Sequence, residues 1–231
     1  MTPNRDDGWE DAMGRWLRGT DPLPGHDALA AELDAALPRT RAALGTVVAA
    51  YIREPAPWGV VHVAASVRGI VSIELVSDTD EFAAGVSRRL GGAVVPDAPG
   101  LPAAMRDALA AARVELEEYF AGRRTAFDLA VDLEGVSDWD RLVLEGTRRL
   151  AYGEVTSYGA LARAIGRPRA ARAVGGALGR NPVPVVIPCH RILAGNGTLG
   201  GYGGGGHAPR DVMLDVKRRL LTLEGAPVAG G

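Results

Sequence analysis

Three runs, "TVVAAYI", "WGVVHVAAS" and "GIVSIELVS", crowd β-branched residues into the stretch from Thr46 to Ser77, with turn signals between them. Runs this short and this closely spaced pair with their neighbours, so they predict a three-strand meander. The period then changes. "DTDEFAAGVSRRL" and "LPAAMRDALAAARVELEEYFAG" carry apolar residues at helical spacing, with Asp78 or Thr79 as N-cap of the first and Gly122 ending the second. A small sheet covered by helices is expected. "FDLAVDLEG" reads as one more short strand before a break near Ser137.

Composition bounds the rest. A chain of 231 residues with 47% hydrophobic content can bury one large core or two small ones. No apolar run reaches the roughly 18 residues that span a bilayer, and Met1 to Glu10 lacks the basic and apolar regions of a signal peptide, so a cytoplasmic protein is expected. The single cysteine forms no internal disulfide and no multi-thiolate zinc site. His26, His62, His190 and His207 are too scattered to suggest a metal site. Three regions follow: residues 1–44, an acidic, Ala-rich extension with a candidate helix from Asp27 to Leu37 and no assignable chemistry; 45–135, the sheet region; and 136–231.

The last region turns helical. "DWDRLVLEGTRRL" places Trp139, Leu142, Val143 and Leu150 broadly on one side. In "GEVTSYGALARAIGRPRAARAVGGALG", Ser157 can cap a helix running through Ile165, "GRP" stops it, and a second runs from about Arg169 to Leu178. Two short helices around a tight turn suggest a helix-turn-helix. The net charge is −2, yet between Gly146 and Arg191 eight arginines (148, 149, 163, 167, 169, 172, 180 and 191) face the single acid Glu154, a local excess of seven. Such an excess is an electrostatic footprint for phosphate. The second helix, "AARAVGGA", offers little bulk beside its arginines, which suits either tight packing against a helix or entry into a duplex groove.

The only cysteine, Cys189, lies in "NPVPVVIPCHRILAGNG". Free cysteine usually packs as a small hydrophobe. Here Pro188 forces an extended entry and His190 and Arg191 follow, which places the thiol at a strand end beside a cavity. Imidazole or positive charge nearby would favour the nucleophilic thiolate. Adjacent residues on an extended chain point apart, so His190 would act through a turn or a bridging water. Local chemistry therefore leaves both a buried hydrophobe and a nucleophile open.

"PCHRI", preceded by "RNPVPVVI", followed by "GNGTLGGYGGG" and accompanied by the helix-turn-helix stretch above, resembles the O6-alkylguanine-DNA alkyltransferases from about Ser137 to Gly225, and more weakly from Thr46 to Gly135. The resemblance implies an α/β fold: a ribonuclease-H-like small sheet domain, then a mainly helical, winged helix-turn-helix catalytic domain. It implies a monomeric DNA-repair protein that flips O6-alkylguanine out of double-stranded DNA and takes the alkyl group irreversibly onto Cys189, O4-alkylthymine being a further candidate substrate, with no cofactor and no metal. By the same resemblance His190 is the base acting through water, Glu224 orients it, Tyr158 protonates the leaving guanine at N3, and Asn181 ties the helix-turn-helix to the active-site segment. Arg172 would fill the space of the flipped nucleotide, Ala171, Ala173 and Gly175 would let the helix into the minor groove, and Arg169 would add a DNA contact. The loop from Thr198 to Gly204, with Tyr202 and Gly203, closes over the base, and Ile192 is assigned to the substrate site with it. Glu154 and Arg191 match a structural ion pair.

The chain departs from the family in three places. Gly203 stands where many members have serine, the spacing from Tyr202 to Lys217 is longer than usual, and Trp139-Asp140 replaces Phe-Gln, read as a packing variation. Two other functions fit the same architecture: a lesion binder that transfers nothing, as in alkyltransferase-like proteins, and a helix-turn-helix regulator switched by alkylation of Cys189.

Overall fold

The structure is a computed structural model that describes residues 47–203 and 208–227. The candidate helix from Asp27 to Leu37, the extension 1–44, Gly204, and the histidines His26 and His207 lie outside the described residues. The β-branched runs form β1 (Val47–Ala56), β2 (Gly59–Ser66) and β3 (Gly69–Glu74), paired antiparallel in sequence order. Next come α1 (Thr79–Leu90), β4 (Ala93–Pro96) and α2 (Ala103–Phe120). The sheet order is β3-β2-β1-β4, with β4 parallel to β1. β4 was not expected from sequence; it is four residues long and ends in proline, which suits only a sheet edge.

Both faces of the sheet are covered, which is why its strands read as nearly continuous apolar runs. Ala49, Ala64 and Val71 pack with Phe82 and Val86 of α1. Ala50, Ile52, Val63 and Ala65 turn the other way, into the core that holds Met105, Leu109, Ala112 and Leu116 of α2. Asp78 caps α1 by accepting from the amides of Asp80 and Glu81.

"FDLAVDLEG" does not form the expected strand. It makes a single bridge, Ile70 with Val131, through Ile70 N to Ala130 O (2.8 Å) and Asp132 N to Ile70 O (2.9 Å). The approach is so close at Gly69 (φ +135°) that a Cβ there would run into the Ala130 carbonyl. Farther along β3, Ile73 N donates to Pro182 O at 2.7 Å. The exposed edge of the sheet is thereby covered by the segment that carries the cysteine.

The second half contains α3 (Asp138–Arg148), β5 (Thr156–Ser157), α4 (Tyr158–Ala164), α5 (Ala171–Gly179), a 3₁₀ turn (Cys189–Arg191), β6 (Ile192–Leu193) and α6 (Arg210–Leu223). Ser157 caps α4, accepting from Ala160 N at 3.1 Å, and β5 pairs parallel to β6. α5 begins at Ala171 rather than Arg169, because Arg167 to Ala170 is a turn closed by Ala170 N to Arg167 O, with Pro168 at its second position. Val143, Leu144, Leu161, Val174, Ala177 and Leu178 form the inner faces of these helices and join the core below the sheet. Among the described residues no helix is long and apolar enough to cross a membrane.

Candidate active site

Residues 181–193 are all buried. Within this stretch "VPVVI" is not a strand. Ile187 N returns to Val183 O (2.9 Å), Pro184 bridges Ile187, and Val185 takes a left-handed conformation (φ 75°), strained for a β-branched residue. Asn181 holds this turn. Its Oδ1 accepts from Val183 N (3.0 Å), and its Nδ2 donates to Ile187 O (2.9 Å) and to Cys189 Sγ (3.1 Å). One amide thus fixes the turn and touches the sulfur.

The 3₁₀ turn corrects the expected strand end and aims its three side chains in different directions. Cys189, 4% exposed, lines a cavity of ≈ 280 Å³ together with Tyr158, Gly175, Tyr202, Gly203 and Arg210. His190 points rearward, where its ring Nε2 lies 2.9 Å from Glu224 Oε1. Arg191 forks onto the same carboxylate through Nε (2.8 Å) and NH2 (2.7 Å) and donates NH1 to Leu150 O (2.6 Å). Tyr119 OH, from α2 in the first half of the chain, donates to Glu224 Oε1 at 2.6 Å, and Gly153 N reaches Oε2 at 3.2 Å. Sequence reasoning missed Tyr119; its signal was only a place on the apolar face of a helix.

The rear cluster settles the proton inventory. Burial would raise the Glu224 carboxyl, but hydrogen bonds from His190 and Arg191 hold it well below the usual range. An ionised carboxylate on Nε2 leaves the neutral imidazole with its proton there, so Nδ1 is an acceptor. Nδ1 is buried and has no hydrogen-bond partner among the described residues. Burial lowers the His190 pKa against the pull of Glu224. Burial also pushes the Cys189 thiol up, opposed by the Asn181 hydrogen bond and the charge of Lys217. The resting pair is a neutral thiol beside a neutral imidazole.

On the pocket side, Tyr158 OH donates to Gly201 O (3.3 Å), and burial raises its pKa, so the phenol keeps its proton. The buried Tyr202 hydroxyl has no partner among the described residues. Ile192, at the start of β6, is buried, and its carbonyl is engaged by Lys217. Gly203 sits against α5: a Cβ there would stand 2.9 Å from Gly179 O and 3.0 Å from its Cα, which gives a steric reason for glycine in place of serine.

Two expectations change. Glu154 does not pair with Arg191. Its exposed carboxylate accepts from Ala151 N (2.9 Å) three residues back, whereas Arg191 is buried where Glu224 already satisfies it. Asp140 is more than a packing variation: it takes Arg180 Nε and NH2 at 2.8 and 2.6 Å, which ties α3 to the end of α5 and lowers the Asp140 pKa. The arginine excess shrinks accordingly, since Arg180 and Arg191 have carboxylate partners. Arg169 and Arg172 are exposed, as is Ala173, while Ala171 is half-buried. Gly175 faces inward: a Cβ there would stand 3.7 Å from the Tyr158 ring, so the residue shapes the pocket wall. Among the described residues no cluster of three or more His, Cys, Asp or Glu side chains could hold a metal ion.

Fold and site together define a two-part α/β protein in which a pocket thiol, backed by a His-Glu pair, lies beside a helix-turn-helix with exposed arginines. The family model described as 6-O-methylguanine DNA methyltransferase, ribonuclease-like domain, matches residues 48–133, and that family's DNA binding domain matches 138–226. The structure resembles that of Mycobacterium tuberculosis OGT in complex with DNA (TM-score 0.60, 35% identity, 77% of this chain and 95% of that one). It also resembles the O6-methylguanine-DNA methyltransferase of Pyrococcus kodakaraensis (TM-score 0.52, 25% identity, 77% and 99%). A methylated-DNA–protein-cysteine methyltransferase of Mycolicibacterium paratuberculosis is 48% identical over 117 residues, 51% of this chain and 66% of that protein. In a Mycobacterium bovis relative the match is 46% and spans 61% of its length. The chain belongs to the 6-O-methylguanine DNA methyltransferase family.

Proposed function

We propose that the protein repairs DNA by moving a methyl or other alkyl group from O6-alkylguanine in duplex DNA onto Cys189, once per molecule. The observation that carries this reading is the placement of Cys189 Sγ at the wall of a base-sized pocket, bonded by Asn181 and flanked by Tyr158. A flipped base entering that pocket meets the sulfur, whereas a stacked one is out of reach.

The thiol proton moves to His190 Nδ1 through a water, while Glu224 stabilises the imidazolium. The thiolate attacks the alkyl carbon, so an S–C bond forms as the C–O6 bond breaks and its electron pair stays with guanine. Tyr158 donates its proton to N3, and guanine leaves neutral. Solvent takes the imidazolium proton and restores the phenol. The thioether product has no leaving group, so the protein is not regenerated, and no cofactor is needed.

Arg172 at the exposed start of α5 and Arg169 in the turn before it are the proposed DNA contacts, with Arg172 holding the vacated stack. Arg191 serves the Glu224 cluster. Residues 45–135 and 136–231 are proposed as the two domains, acting as a cytoplasmic monomer. The test is intact-protein mass after incubation with duplex DNA carrying O6-methylguanine. A single-methyl increase is expected, and its absence, or its persistence in Cys189→Ala, overturns the reading. Tight, lesion-selective binding without a mass change would identify a binder instead.

A further inference from the structure

Arg210 is the first residue of α6, in the segment whose length departs from the family, and it lines the pocket that holds Cys189. An exposed residue on a pocket wall stands at its mouth, and here NH2 donates to Gly200 O at 3.2 Å. A guanidinium presents a fork of donors and no acceptor, and that bond engages one of them. Among the described residues no carboxylate pairs with Arg210; Asp215 of the same helix is taken by Arg218 and Arg219. The remaining N–H groups and the charge are left at the opening. α5 contributes Gly175, Leu178 and Gly179 to the same pocket, so Arg210 supplies charge from a different element than Arg169 and Arg172.

Two donors meet consecutive loop carbonyls: Arg210 on Gly200 O, and the Tyr158 hydroxyl on Gly201 O at 3.3 Å. Gly200 is pressed onto the same ring, since a Cβ there would stand 3.3 Å from the ring edge and 3.4 Å from the hydroxyl oxygen. Arg210 therefore belongs to the Tyr158 end of the pocket. On guanine, N3 is bonded to the carbon that also holds the sugar-bearing nitrogen, and O6 lies across the ring. A base with O6 at Cys189 and N3 at Tyr158 sends its sugar, and the phosphates on it, out past Tyr158. An exposed guanidinium on that side meets a phosphate rather than the alkyl group at the sulfur. Resting on the alkyl-transfer reading above, we propose that Arg210 is a lesion-dependent phosphate contact: its unengaged N–H groups take a phosphate oxygen beside the flipped nucleotide. The contact forms only with the base in the pocket, so it favours the extruded state over duplex DNA in general.

The test reads the salt dependence of binding by full-length Cys189→Ala protein, which cannot consume the lesion, to two duplexes that differ only in carrying O6-methylguanine or guanine. Each phosphate neutralised adds about one to the slope of log affinity against log salt. Adding Arg210→Ala is expected to lower that slope by about one on the lesion duplex, with about tenfold weaker binding at low salt, and to leave the slope on the undamaged duplex unchanged. Arg210→Lys should keep the original slope, because charge rather than the planar fork sets it. A fall on both duplexes marks an ordinary surface contact and a fall on neither marks no contact; either overturns the proposal. A second readout replaces the phosphates beside the lesion, one at a time, with uncharged methylphosphonate. One such replacement should weaken binding when Arg210 is present and leave the Arg210→Ala protein unaffected, whereas equal weakening of both at every position overturns the assignment. Methyl uptake by wild-type protein together with an unchanged lesion slope sinks the Arg210 contact alone. A lesion-only fall in slope without methyl uptake would refute the repair reading and leave this one standing.

Discussion

The two sides of the Cys189–Arg191 turn are built to opposite rules. Behind it, both oxygens of Glu224 are occupied by donors from Tyr119, His190, Arg191 and Gly153, drawn from both halves of the chain. In front, among the described residues, Tyr202 OH has no hydrogen-bond partner, the sulfur takes the Asn181 amide, and Arg172 is exposed. A saturated rear locks ring orientation and tautomer before any substrate arrives. An undersatisfied front leaves groups free to bind one. Stability and reactivity are thus assigned to different faces of a three-residue turn.

The largest expected effect falls on the front: Cys189→Ala should abolish methyl uptake by intact mass while leaving the fold, judged by the unfolding midpoint, close to wild type. Next is the rear. Glu224→Gln strands Arg191 and His190 in the core and should cost about 3–5 kcal/mol by urea titration, with transfer largely lost. Its pH signature has a fixed sign. Because the folded carboxyl is held below its unfolded value, this stabilisation is present above the ordinary carboxylate pKa and disappears as pH falls through the folded one. An acid limb of wild-type stability that survives in the variant would break the comparison.

Arg172→Ala tests the front again without touching the thiol. Duplex repair should fall about tenfold or more, since refilling the stack offsets a few kcal/mol of unstacking, whereas reaction with free O6-methylguanine should hold. Equal loss of both would remove its DNA role. Tyr119→Phe deletes one of the several rear donors and should cost about 1.5 kcal/mol of stability with only a modest rate loss. The smallest effect belongs to Gly203→Ser, whose Cβ must displace the loop from Gly179; about 1 kcal/mol, read as a severalfold slower transfer, is expected.

Legibility from sequence followed the range of the interaction. The meander, the Asp78 and Ser157 caps and the Pro168 turn are set by residues a few positions apart, and all were readable or nearly so. The strand expected over "FDLAVDLEG" failed because whether an apolar run pairs fully depends on the distant edge it meets, here closed by Pro182 after two bonds to Ile70. The strand end expected at Cys189 failed because Asn181, eight residues earlier, folds "VPVVI" into a turn. Arg191 pairs with Glu224 rather than Glu154 because the closed core buries Glu224 against it, while Glu154 stays exposed on its own turn.

Sequence by itself determined the meander and the two helices after it, the helix-turn-helix pair, the single thiol with its histidine, and a short helix built of small residues and arginines. Those are properties of composition and local period. Only the tertiary structure decided which carboxylate receives Arg191, that Tyr119 crosses from the sheet half to Glu224, and that Lys217 is buried against the pocket loop. These contacts join residues 25 to 105 positions apart, and their strength comes from the low dielectric of a core that exists only once it has closed.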